Sequence, residues 1–157
     1  MAVQPIPDGF HTLTPHLTVR DAAAAIAFYQ AAFGAVELSR HAMPDGKAIM
    51  HALLQIGDSR LMLNDEFPQM GSSGPQSLGG TPVYLNLYVK EVDALFARAI
   101  AAGAKVLMPV GDMFWGDRYG QLEDPFGHKW SIATHIEDVT PEESARRAAK
   151  LFGGGHG

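Results

Sequence analysis

F-W-G-D-R-Y-G-Q-L-E-D-P-F-G-H-K-W, residues 114–130, is the run whose reading decides the fold. Its aromatics favour burial, while its acids and bases resist burial unless paired, so it is neither a plain core strand nor a plain solvated loop. The run predicts a hairpin that carries polar groups into a pocket. Asp124-Pro125-Phe126-Gly127 then supplies the turn into a final strand over 129–134.

Upstream of this run, 83–89 alternates, with Val83, Leu85, Leu87 and Val89 on one face and Tyr84, Asn86 and Tyr88 on the other. A helix over 92–102 follows, closed by Gly103, and then a strand over 106–110. Strand, helix and three further strands make a βαβββ unit.

The same order stands earlier in the chain. Residues 11–20 alternate, with Leu13, Leu17 and Val19 opposite Thr14, His16 and Thr18. Asp21 is placed as the N-cap of a helix over 22–33, where Ala22, Ile26, Tyr29 and Phe33 recur at helical spacing and Gly34 ends the helix. Strands over 35–42, 48–56 and 60–64 follow, separated by Pro44-Asp45-Gly46 and Gly57-Asp58-Ser59. Val19 and Val89 are 70 positions apart, as are Asp21 and Glu91, and Gly57 and Gly127, which marks an internal duplication.

Residues 67–82 are rich in Gly, Ser and Pro and predict no regular element, so they act either as a linker between modules or as a mobile flap over a site. The chain is therefore expected to be a single α+β domain. Module one spans about 11–66, the linker 67–82 and module two about 83–135. Thr140-Pro141-Glu142-Glu143 is a capping box that opens a C-terminal helix through about 152, packed outside the modules or on a second subunit. Residues 153–157 are expected to be disordered.

A net charge of −5, with no basic cluster, argues against a nucleic-acid partner. With no cysteine there is no disulfide framework, thiolate metal site or Cys nucleophile. No run approaches the ~20 apolar residues of a membrane span. Residues 1–10 lack the basic start and apolar run of a signal peptide, and the expected compartment is the cytoplasm. Neither a G-x-S-x-G elbow nor a phosphate loop is present.

Two tandem βαβββ units resemble the vicinal oxygen chelate superfamily, which includes glyoxalase I, extradiol dioxygenases and bleomycin-resistance proteins. The likeness rests further on V-R-D at 19–21, F-Y-Q-A-A-F-G-A at 28–35 and D-P-F-G at 124–127. Within that group the chain looks most like the PhnB-like branch, through P-H-L at 15–17, H-A-L-L-Q-I-G-D-S-R-L-M-L-N-D-E at 51–66 and the run from Phe114 to Gly127. The resemblance covers about 12–135. It implies cupped mixed sheets around a cavity, often completed in a homodimer, with Thr14, His16, Thr18, Tyr84, Asn86 and Tyr88 facing that cavity.

Metal-dependent members of the superfamily hold a divalent cation on four cavity-facing positions, typically His on the first strand of each module and Glu on the fourth. Spaced from V-R-D, those positions fall on Thr14, Tyr84, Leu61 or Met62, and Ser131. None is a good ligand for such a cation, so no metal and no cofactor are expected. A displaced divalent metal site using His16, with His51, Glu66 and His135 also to hand, is the alternative, and would belong to a lyase or dioxygenase. A third possibility is metal-free acid–base catalysis with His16 as catalytic base. His41 and His128, near turns, are expected to be solvated.

The expected ligand is a small organic molecule, bound by His16, Tyr84, Asn86, Tyr88, Trp115, Asp117, Arg118, Tyr119 and Gln121. Trp115, Asp117, Tyr119 and Gln121 share a strand face, where the two rings are either stacking platforms for a flat ligand or core. Asp117 and Arg118 are either a mutually paired hairpin tip or a clamp for an anion or carbonyl. Glu66 is a charge at the flap edge, Asp124 a turn cap, and Trp130 is expected beneath the second helix.

Overall fold

A computed structural model describes residues 2–153. Its elements are β1 (His16–Val19), α1 (Ala22–Phe33), β2 (Val36–Ala42), β3 (Ile49–Ile56), β4 (Ser59–Asp65), α2 (Pro75–Leu78), β5 (Tyr84–Tyr88), α3 (Val92–Ala102), β6 (Lys105–Asp112), β7 (Asp117–Glu123), β8 (Lys129–His135) and α4 (Pro141–Gly153). They form two four-stranded sheets, ordered β1-β4-β3-β2 and β5-β8-β7-β6. In each, the first strand runs parallel to the fourth and the rest are antiparallel. This is the α+β fold of two tandem βαβββ modules expected from the sequence.

α1 and α3 have the predicted bounds because their ends are fixed locally. The Asp21 side chain accepts from Ala24 N at 3.0 Å, satisfying one of the amides that a helix start leaves free. Gly34, with φ 68°, and Gly103, with φ 121°, turn the chain out of α1 and α3 through backbone that other residues rarely adopt. The duplication extends to long-range caps. Ala22 N donates to Asp65 Oδ1 at 2.8 Å, and Val92 N donates to Thr134 Oγ1 at 2.9 Å.

β1 is shorter than its alternating pattern. The strand begins at His16, and Leu13, placed by that pattern on the buried face, is 86% exposed. Leu17 and Val19 are buried as expected.

The core lies between the modules. α1 and α3 pack on each other and on the inner faces of both sheets, burying Ile26, Tyr29, Leu54, Leu63, Leu122, Trp130 and Ile132. Trp130 reaches further than the sequence expectation placed it. Its strand packs under α3, and its ring also lies 4.8 Å from Phe33 and 5.5 Å from Tyr29 of α1. His128 is half-buried, and its Nε2 lies 2.9 Å from Thr18 O in the other module.

Between the modules, residues 67–82 hold a 3-10 turn at Pro68–Met70 and the short α2, where no regular element was expected. The segment is tied to module one through Glu66, whose carboxylate accepts from Gly74 N at 2.8 Å and Ser77 Oγ at 2.6 Å. Those two bonds hold the Glu66 carboxyl below its ordinary range, Ser77 contributing most.

α4 starts on its predicted cap, Thr140 Oγ1 accepting from Glu143 N at 3.1 Å. It buries no side chain and is attached through Arg147, which bonds Glu137, Glu143 and the carbonyl of Phe114. Paired with Arg146 and Arg147, the Glu143 carboxyl is lowered to about 2. Gly153 closes this helix, and 154–157 lie outside the described residues. No helix among the described residues is long and apolar enough to cross a membrane.

Candidate functional site

Successive strand residues point to opposite faces, so the helices cover one face of each sheet and leave the other open. On the open face of module two, the register aligns Asn86 with Ser131 and Gln121, and Tyr88 with Ala133 and Tyr119. Asp117 pairs with His135 one step along. Trp115 sits in the turn ahead of β7, not in the strand, yet its ring stands edge-on to Tyr119 at 5.3 Å.

Asp117 is the centre of this group. It is 3% exposed, and both carboxylate oxygens are engaged. Oδ2 accepts from Tyr88 OH at 2.6 Å and from Trp115 Nε1 at 2.9 Å, while Oδ1 faces His135 Nδ1 at 2.8 Å. Burial alone would raise the Asp117 carboxyl, but the bonds from Tyr88, His135 and Trp115 together hold it below its ordinary range. The same bond raises the Tyr88 hydroxyl.

His135 bridges Asp117 to Asp138, with Nε2 at 2.7 Å from Asp138 Oδ1. A ring with a carboxylate on each nitrogen is favoured as imidazolium, and its pKa is raised, chiefly by Asp138 and then by Asp117. Asp117 thus serves as an internal brace for Tyr88 and Trp115.

Arg118 points to the opposite face and pairs with neither Asp117 nor the open side. Its guanidinium bonds Asp93 on α3 at 2.7 Å and Asp112 at 2.9 Å, which raises it and lowers the Asp93 carboxyl. Gln121 Nε2 donates to Tyr119 OH at 2.9 Å, and Ser131 Oγ donates to Asn86 Oδ1 at 2.7 Å. Tyr84 stands apart, its ring 5.5 Å from Lys129 Nζ. The structure therefore brings together Tyr88, Trp115, Asp117, Tyr119 and Gln121, places Asn86 in the adjoining row, and turns Arg118 away.

His16 lies in the other module and joins none of these. Its Nε2 is 2.6 Å from Asn64 Oδ1. The amide of Asn64 is oriented by its own donor, since Nδ2 bonds Asp65 O at 2.7 Å and that oxygen only accepts. Oδ1 must then face His16, so His16 Nε2 donates to it. Asn64 was not singled out in the sequence, because an Asn in a strand gives no local sign of an imidazole partner 48 positions away. His51 stands edge-on to His16 at 5.6 Å, and its pKa is lowered by burial, then by His16 and His41.

The register also settles which residues stand at the superfamily's metal positions. His16 pairs with Met62 and Asn86 with Ser131, so Met62, not Leu61, matches Ser131. Thr14, Met62, Tyr84 and Ser131 offer no imidazole, thiolate or carboxylate, and the donor set does not fit a divalent cation. Among the described residues no three His, Cys, Asp or Glu side chains converge as a metal ion requires.

Residues 9–132 match the model of the Glyoxalase/Bleomycin resistance protein/Dioxygenase superfamily, and the chain belongs to that family. An uncharacterized protein of Mycobacterium bovis is 54% identical over 134 residues, 83% of this chain and 88% of that protein. Among solved structures, TioX from Micromonospora sp. ML1 superposes with a TM-score of 0.64 at 28% identity, covering 80% of this chain and 99% of TioX. The PhnB protein from Bacillus cereus shares the fold, with a TM-score of 0.58 at 20% identity over 79% of this chain and 99% of its own.

Proposed function

We propose that the chain binds a flat, small organic molecule on the open face of module two, without the superfamily's standard metal site. The observation that carries this is Trp115. It is 37% exposed, yet its indole is fixed by a bond to the buried Asp117 and by edge contact with Tyr119. A rigid aromatic wall of this kind gives stacking area at low entropic cost. Tyr88, Asn86 and Gln121 supply polar anchors beside it.

Titration with fused-ring heteroaromatics, followed by indole fluorescence, tests this. Trp115→Ala is expected to weaken the best binder at least tenfold, ~1.4 kcal/mol, with the melting temperature nearly unchanged. An unchanged affinity, or a large fall in melting temperature, would place Trp115 in the core instead.

A second reading, metal-free acid–base chemistry, is favoured by one observation: Asn64 engages Nε2 of the exposed His16, and Nδ1 has no hydrogen-bond partner among the described residues. A homodimer fits the open faces, where Tyr84 is 43% and Tyr88 65% exposed, and a second copy would cover them. The compartment proposed is the cytoplasm.

A further inference from the structure

We infer that the seam between the two modules is a second binding site, and that it takes a small carboxylate with an apolar body. The seam is a cavity of about 260 Å³, bounded by β5 on one side and by the start of β4 and the segment before β1 on the other. Leu85, Leu87 and Trp130 give it apolar walls, and Thr14, Asn86 and Arg60 give it polar ones. No Asp or Glu lines it, although the chain as a whole carries a charge of −5.

Arg60 decides what this cavity takes. Its Nε is shut off from solvent and has no hydrogen-bond partner among the described residues. None of their ion pairs includes it. Arg60 as a whole is half-buried, and a donor of a cation shut off from water without a partner is costly.

The guanidinium is held in place all the same. It lies 5.0 Å from the centre of the Phe10 ring and so close to Gly9 that a Cβ there would fall 2.0 Å from its terminal nitrogen. Phe10 and Gly9 lie against the fork, but neither accepts a bond from its Nε. A carboxylate entering the cavity meets the charge and the planar fork together, while the leucines and Trp130 receive its hydrocarbon part. Inorganic phosphate would need more donors than one guanidinium and find no use for the apolar walls. Asn86 is shared with the open face of module two, whereas Trp115 is not among the residues that line the seam.

The test is calorimetric titration of the whole chain with benzoate, with the neutral isostere benzamide and with inorganic phosphate. Benzoate is expected to bind at least tenfold tighter than either, to lose at least tenfold in Arg60→Gln, and to be unaffected by Trp115→Ala. Equal binding of benzoate and benzamide, tighter phosphate, no benzoate binding, or full benzoate affinity in Arg60→Gln would overturn the proposal. Should Arg60→Gln fail to fold, the nitrogen-labelled wild type decides. Benzoate must shift the Arg60 Nε–H and Thr14 amide resonances, and a shift at the Trp115 indole with none at Arg60 would overturn it.

Discussion

Asp124→Leu is expected to destabilise the fold by about 3–5 kcal/mol, the cost of breaking a buried charged network. Asp124 is 3% exposed and accepts four bonds. Oδ1 takes Phe126 N at 2.9 Å and His128 N at 3.0 Å, closing the Asp-Pro-Phe-Gly turn. Oδ2 takes Tyr29 OH at 2.5 Å from module one and Trp130 Nε1 at 2.9 Å from module two.

Leucine fills the space and strands all four donors. Asparagine should cost less, because its amide retains one accepting oxygen. Its nitrogen, however, must then face either the turn amides or the indole, all of which only donate. For a chain of this length the leucine variant should melt roughly 6–20 °C lower. A change within about 1 kcal/mol would show that the turn and the inter-module contact stand without the carboxylate.

The second large effect is expected at Trp130→Ala, about 3–5 kcal/mol from the lost burial and the cavity left behind. Trp130 is 2% exposed and belongs to β8, yet its ring rests on Phe33 and Tyr29 of α1. Removing it thins the packing between modules and strands Asp124 of one donor. The wild type is expected to unfold in one transition because the modules share this core. The chain has two tryptophans, and the contrast between them is the sharper check: alanine at 130 should cost stability, and alanine at 115 should cost ligand. Similar stability losses at both positions would contradict the division.

That division was half legible in the sequence. Parity alone separated Trp115, Tyr119 and Gln121 from Trp130. Helix bounds were legible too, since caps and glycines act within a turn of their helix. What parity cannot say is which distant element a face meets. The pattern placed Trp130 under the second helix, but only the packing of α1 on α3 brings Phe33 and Tyr29 of the first helix against its ring. Leu13 shows the same limit, because alternation runs into a segment that finds no pairing partner. Asp117 and Arg118 were legible as a charged pair of neighbours, but adjacent strand residues face opposite ways. One therefore braces Tyr88 and Trp115, and the other reaches α3.

The bond from His16 to Asn64 and the clamp of His135 between Asp117 and Asp138 depend on register and on the path of the chain after β8. No local pattern carries either.

Ligand binding on this scaffold without the standard metal site is tested by the metal content of the chain, purified without a histidine tag, by elemental mass spectrometry. Well under one divalent ion per chain is expected, unchanged in His16→Ala. One tightly held ion per chain, lost on replacing His16, would contradict it.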